Sequence, residues 1–70
     1  MTERGQTMKY DERLDRVIDK YVKVFIHGIW IRGHVRRLDL PAHNRILYQL
    51  ETCTGFVELD PAEVKKVEWA

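Results

Sequence analysis

The sequence has few of the features that stabilise or anchor small proteins by covalent bonds or by a membrane. A single cysteine, Cys53, cannot form an internal disulfide or supply a zinc site by itself. Charged residues make up 33% of the 70 residues. No apolar stretch approaches the length of about 20 residues that a membrane-spanning helix needs. No apolar signal region is visible at the start, so we expect a cytoplasmic protein without membrane contacts. Four glycines and two prolines exclude collagen-like and low-complexity chains.

Catalytic and cofactor motifs are also missing. The sequence contains no glycine-rich phosphate loop, no nucleophile elbow and no recognisable pair of catalytic carboxylates. Its three histidines lack the spacing and the acidic or thiol companions of a metal site. We therefore expect no cofactor, no metal, no small-molecule substrate and no enzymatic activity. An active site built between subunits of an oligomer remains the alternative.

Charge is distributed unevenly along the chain, although the formal net charge is only +1. Residues 1–20 are balanced, residues 21–50 carry five bases against one acid, and residues 51–70 carry two bases against five acids. A basic middle and an acidic end fit three interpretations: head-to-tail assembly, an anion-binding face, or solvated strand surfaces.

A helical pattern opens the domain. Apolar residues recur with the spacing of one helix face, and nearly all of the positions between them are charged. The apolar residues are Tyr10, Leu14, Val17, Ile18 and Tyr21. This spacing predicts an amphipathic helix over about residues 10–20, capped by Asp11 or Thr7. Residues 1–8 show no periodicity and are expected to form a flexible arm, which leaves residues 9–70 as one domain.

The apolar period then changes to two, which predicts five strands. The predicted strands are Tyr21–His27, Ile29–Leu38, Ile46–Leu50, Phe56–Leu59 and Val64–Trp69. Gly33 inside the long second strand is typical of a sharp bend, where one strand serves two sides of a barrel. The prediction is a mainly β fold in which an N-terminal α-helix precedes a five-stranded, strongly bent antiparallel small barrel. Sm-like and SH3/Tudor-like barrels both fit, but an SH3-like domain normally opens with a strand.

From Leu14 onward the chain resembles the Sm/LSm (Hfq-like) family of small barrels. The resemblance lies in a helix that leads into a strand ending near Gly28, in a second strand with Gly33 inside it, and in Asp39 followed by a loop and Asn44. It implies an Sm-like protein that forms a homo-oligomeric ring through its fourth and fifth strands and binds single-stranded RNA. The alternative is an SH3/Tudor-like module that recognises a protein or double-stranded nucleic acid.

The resemblance also implies a pocket for an RNA base, usually uracil. Asn44 matches the residue that reads the base edge, and His43 beside it is placed to stack on the base. Where the family has Arg-Gly, this sequence has Asp60-Pro61. A carboxylate accepts hydrogen bonds, so Asp60 cannot donate one to a base carbonyl as the family's arginine does.

Strand alternation predicts a second candidate surface. Trp30 and His34 alternate with Arg32 and Arg36 on one face of the second strand, and single-stranded nucleic acid requires such a mixture of aromatic and cationic groups. Further arginines flank the loop and are predicted to contact phosphates. Packing of Trp30 and ordinary solvation of the arginines are the alternative. The predicted RNA-binding residues are Trp30, Arg32, Arg36, Arg37, His43, Asn44 and Arg45.

Overall fold

The computed structural model describes residues 10–43 and 45–70. Its elements are α1 (Glu12–Asp15), β1 (Tyr21–Ile26), β2 (Ile29–Leu40), a 3-10 turn (Pro41–His43), β3 (Arg45–Thr52), β4 (Gly55–Leu59) and β5 (Val64–Trp69). All five strands pair antiparallel in one sheet, in the order β4-β3-β2-β1-β5. The prediction of a small, mainly β domain with five antiparallel strands is confirmed. No ladder joins β4 to β5 in the described ranges, so hydrogen bonds do not close the sheet into a barrel.

The predicted helix over residues 10–20 was wrong in its extent. α1 covers only Glu12–Asp15, and turns follow it. After α1 the backbone continues in turns and then bonds to β2. Asp19 has a φ of +67°, and its N–H donates to the carbonyl of Val35 at 2.7 Å. The N–H of Val35 donates in turn to the carbonyl of Lys20 at 3.3 Å. A tertiary contact thus replaces the second half of the predicted helix.

The start of the helix follows the prediction more closely. The carboxylate of Asp11 caps α1 by accepting hydrogen bonds from two backbone N–H groups of the first turn. Leu14 is fully buried, whereas Tyr10 and Tyr21 at the ends of the apolar stripe are 56% and 51% exposed. The hydroxyl of Tyr48 on β3 accepts a hydrogen bond from the N–H of Asp11 at 3.2 Å. Leu14 and the hydrogen bond between Asp11 and Tyr48 therefore attach the start of α1 to the sheet.

Alternation along the strands buries one face of the sheet, as their period of two predicted. The core consists of Leu14, Val22, Val24, Ile26, Val35, Ile46, Tyr48, Leu50, Leu59 and Val64. A two-residue turn joins β1 to β2, and its residues His27 and Gly28 have φ angles of +53° and +81°. Positive φ at both positions is typical of a type I′ turn, which fixes the register between the two strands.

β2 changes its pairing partner near its middle. Residues 29–34 pair with β1, and residues 34–40 pair with β3. Gly33 lies at this change, where an added Cβ would be 2.3 Å from the backbone oxygen of Glu51 on β3. Only glycine lets the two backbones approach so closely, which explains its place inside a long strand. The stretch of β2 before Gly33 has an edge that is not paired with β3.

Candidate nucleic-acid interface

The face of β1 and β2 that points away from the core is aromatic and basic. Because Val22 and Val24 point into the core, the side chains between them point outward. The register places each outward residue of β1 directly opposite one of β2. We call this surface the β1–β2 outer face; it consists of the pairs Tyr21–His34, Lys23–Arg32 and Phe25–Trp30.

Two aromatic pairs lie at the two ends of this face. The ring centroids of Tyr21 and His34 are 5.1 Å apart with an interplanar angle of 53°. Those of Phe25 and Trp30 are also 5.1 Å apart, at 54°. These are favourable tilted arrangements, which hold the rings in place. Trp30 is nevertheless 42% exposed, so much of its surface is open to a ligand.

Two cations lie directly opposite each other between the aromatic pairs. Lys23 faces Arg32 across the ladder, and like charges in that position destabilise a sheet. The Nζ atom of Lys23 is 5.0 Å from the ring centroid of Trp30 and 3.9 Å from a carboxylate oxygen of Glu68. Among the described residues Arg32 has no ion-pair or hydrogen-bond partner for its guanidinium. An anion placed over this pair would relieve the repulsion.

An open groove borders the outer face. Residues 30–34 of β2 line one side of it, and residues 51–54 at the end of β3 and in the following turn line the other. Ile31 and Val57 add apolar surface, and Arg36 and Glu51 contribute charge. The groove lies beside the stretch of β2 that lacks β3 as a partner.

Arg36 lies in this groove, but carboxylates already occupy its guanidinium. Its Nε donates to Oε1 of Glu51 at 2.9 Å, its Nη2 forms an ion pair with the same oxygen at 2.7 Å, and its Nη1 donates to Oδ1 of Asp19. Hydrogen bonding to Glu51 and then to Asp19 raises the pKa of Arg36. A phosphate that contacts Arg36 therefore has to compete with a carboxylate.

Arg37 points to the opposite face of β2, toward α1. Its Nε donates to Oδ1 of Asp39 at 2.8 Å, and its Nη1 donates to Oδ1 of Asp15. These hydrogen bonds, that to Asp39 first, raise the pKa of Arg37. The same oxygen of Asp15 accepts a hydrogen bond from the Tyr48 hydroxyl at 3.3 Å. Arg37 thus links the short helix to the sheet, a role that its place in the sequence did not indicate.

The loop residues predicted to bind a base lie apart from Trp30. His43 is exposed in the 3-10 turn after β2, and Arg45 begins β3. Both lie at the far end of β2 from Trp30, so the structure separates the predicted residues into two regions. Asn44 lies outside the described residues, as does the predicted arm over residues 1–8.

Sequence reasoning missed three members of the outer face, all of them on β1. Tyr21 also fits the apolar stripe of the predicted helix, and Lys23 and Phe25 occupy the positions of the first strand that face away from the core. The signal that could have found them is the turn at His27–Gly28. A two-residue turn fixes which residues stand opposite one another, and Trp30 and Arg32 therefore identify their partners.

Comparison with protein-family models, with curated proteins and with solved structures returns no match. Over residues 10–43 and 45–70, no cluster of three or more His, Cys, Asp or Glu side chains could hold a metal ion. Within the same ranges no helix has the length and apolar character needed to cross a membrane. Function therefore has to be inferred from the residues of the site.

Proposed function

We propose that this chain is an Sm-like protein that binds single-stranded RNA without catalysis and acts as a homo-oligomeric ring. The observation that carries the RNA-binding part is the β1–β2 outer face, where two aromatic pairs flank two directly opposed cations. Bases of any sequence stack on aromatic rings, and cations follow the phosphates that connect those bases. No small-molecule substrate, cofactor or metal is part of this proposal.

The order of the elements supports the Sm-like part. A short helix precedes the first strand, whereas an SH3/Tudor-like domain normally opens with a strand. The long β2 is shared between two partners around Gly33, which is the strand geometry that the family resemblance implies. The sheet order leaves β4 and β5 as the two edges, so neither strand has a second partner within the described part of this sheet.

These two edges support assembly into a ring. An unpaired edge strand presents N–H and C=O groups to another chain. Pairing of β4 in one copy with β5 in the next is a head-to-tail contact, which closes into a ring when its rotation allows. Phe56 on β4 and Trp69 on β5 are exposed apolar side chains that such a contact would bury.

The loop after β2 is the second contact region in this proposal. His43, Asn44 and Arg45 contribute contacts to bases and phosphates there, as the family resemblance implies. Arg36 and Arg37 contact phosphates only where RNA replaces the carboxylates that they now hold. The outer face is therefore the first surface to test.

The decisive experiment removes one aromatic ring from the outer face. Labelled oligo-U, oligo-A and a duplex are titrated at two salt concentrations against wild type, Trp30→Ala and Arg32→Ala. We expect Trp30→Ala to weaken single-strand binding about tenfold, since a stacked base contributes about 1–3 kcal/mol. Arg32→Ala should flatten the log–log salt dependence by about 0.7, the value for one phosphate contact on a single strand.

Tyr10→Ala is the matched control, because it removes an exposed aromatic ring outside the outer face. It should leave the affinity unchanged. Absence of binding to any single strand at low salt would reject the RNA proposal and favour an SH3/Tudor-like protein-interaction module. Tight binding that neither variant weakens would move the RNA site to the loop after β2.

A further inference from the structure

The ion pairs of Arg36 carry an inference about regulation, and it rests on the proposed RNA-binding function. Arg36 lines the groove beside Trp30 and Arg32, yet all three of its guanidinium nitrogens contact carboxylates. One oxygen of Glu51 accepts a hydrogen bond from Nε and forms an ion pair with Nη2, and Asp19 accepts a hydrogen bond from Nη1. A carboxylate and a phosphate present similar anionic oxygens to a guanidinium.

We propose that Glu51 and Asp19 compete with RNA phosphate for Arg36, so that the free protein masks one of its own phosphate contacts. In the free protein the guanidinium is occupied by these two carboxylates. When RNA lies across the outer face, a phosphate replaces Glu51 on Arg36. The affinity of the site is therefore set partly by residues that never contact RNA favourably.

Solvent exposure distinguishes this cluster from the neighbouring one around Arg37. The side chains of Arg36, Glu51 and Asp19 are 39%, 42% and 68% exposed. Ion pairs between such exposed groups contribute little to stability, so an incoming anion can displace them. Arg37 and Asp15 are less exposed, and Asp15 also accepts a hydrogen bond from Tyr48. The Arg36 cluster is thus exchangeable, whereas the Arg37 cluster holds α1 in place.

Glu51 is the stronger competitor of the two carboxylates. It lies on β3 directly opposite His34, which is a member of the outer face. RNA on this face therefore brings its phosphates toward the Glu51 carboxylate as well as toward Arg36. Replacing Glu51 by glutamine removes the negative charge and keeps nearly the same shape.

The test compares single-strand affinity in Glu51→Gln and in wild type, with oligo-U as the probe. We expect Glu51→Gln to bind about two- to fivefold more tightly, which corresponds to the release of one exposed ion pair. The log–log salt slope should become steeper by up to about 0.7, because Arg36 can neutralise one more phosphate and so release the counterion of that phosphate. Asp19→Asn should act in the same direction and provides a second variant if Glu51→Gln is poorly folded.

Two further variants separate this mechanism from a simple change of net charge. Asp39→Asn makes the same change in charge, but it removes one of the two carboxylates on Arg37, on the opposite face of β2, and should have a smaller effect. The double variant Arg36→Ala/Glu51→Gln should not show the gain in affinity for oligo-U that Glu51→Gln shows. An equal gain in Asp39→Asn, or a gain that persists without Arg36, would overturn the proposal.

The outcomes also distinguish this proposal from the RNA-binding function on which it rests. If wild type binds oligo-U through Trp30 but Glu51→Gln shows no gain, only the competition is rejected. If no variant binds a single strand, both proposals fail. In wild type, NMR of the arginine Nε–Hε groups should show the Arg36 signal shifting on titration with oligo-U. An unchanged Arg36 signal in the RNA-bound protein would contradict the exchange.

Discussion

At the scale of single residues, Asp11 connects the start of the domain to its last strand. Its carboxylate accepts hydrogen bonds from the backbone N–H groups of Arg13 and Leu14, at 2.9 and 3.3 Å. The guanidinium of Arg13 binds the same carboxylate at 2.9 Å and donates to the carbonyl of Val64 at 3.1 Å. The hydrogen bond from Arg13 lowers the pKa of Asp11 despite the opposing effect of burial.

This lowered pKa predicts how the stability of an Asp11→Asn variant depends on pH. A carboxyl whose pKa is lower in the folded state stabilises the protein above its ordinary pKa of about 3.9. That contribution is lost as the pH falls through the folded-state value. Asparagine still caps a helix, so Asp11→Asn should cost only about 0.5 kcal/mol at neutral pH, as for a surface ion pair.

Urea unfolding at neutral pH and at a pH well below the carboxyl range measures this difference. The free energies of unfolding of wild type and Asp11→Asn should become equal at the low pH, where both side chains are neutral. A difference of equal size at both pH values would show that the cap geometry matters and the charge does not.

At the scale of elements, Leu14 is the buried residue of α1. Leu14 is the member of the apolar stripe that lies fully in the core, while Tyr10 is mostly exposed. Leu14→Ala should therefore lower the free energy of unfolding by about 2–5 kcal/mol, the cost of a cavity in a core. Tyr10→Ala should change it little. Thermal or urea denaturation of both variants measures the contrast, and similar losses would place Tyr10 in the packing after all.

The strands were predictable from the sequence, but the helix was predictable only at its start. Alternation identified β1 and β3 because a sheet with one buried face repeats every two residues. The helix spacing from Leu14 to Tyr21 was equally regular. The prediction of a helix over this stretch failed because the backbone at Asp19 bonds to β2. A contact between distant segments leaves no periodic signal in the sequence.

The candidate site was also predictable only in part. The alternation of Trp30, Arg32 and His34 on one face followed from their spacing in the strand. The partners of Arg36 did not, because Asp19 and Glu51 lie 17 and 15 residues away and meet it only in the folded sheet. Sequence reasoning therefore identified the basic residues but could not tell which of them were already paired.

At the scale of the whole molecule, the open edges predict the oligomeric state. Phe56 on the β4 edge is 60% exposed, so Phe56→Glu should leave the folded monomer stable. In a ring through β4 and β5, the new charge would be buried between copies, and the ring should dissociate. Size-exclusion chromatography with light scattering measures this change in mass.

Ile29→Glu is the control, because Ile29 is exposed and lies on β2, which is neither of the two end strands that would form the ring contact. It should leave the mass of the oligomer unchanged. A wild-type protein that is monomeric at tens of micromolar would contradict the ring.

The sheet order also determines when the protein can fold during its synthesis. β1 to β4 pair with their neighbours in sequence, whereas β1 receives its second partner, β5, from a segment about forty residues later. Until residues 64–69 emerge from the ribosome, the apolar β1 keeps a free edge that another nascent chain can pair with. Pulse-labelling hydrogen exchange during refolding should therefore find the amides of β5 protected last, and early protection of β5 would contradict this order.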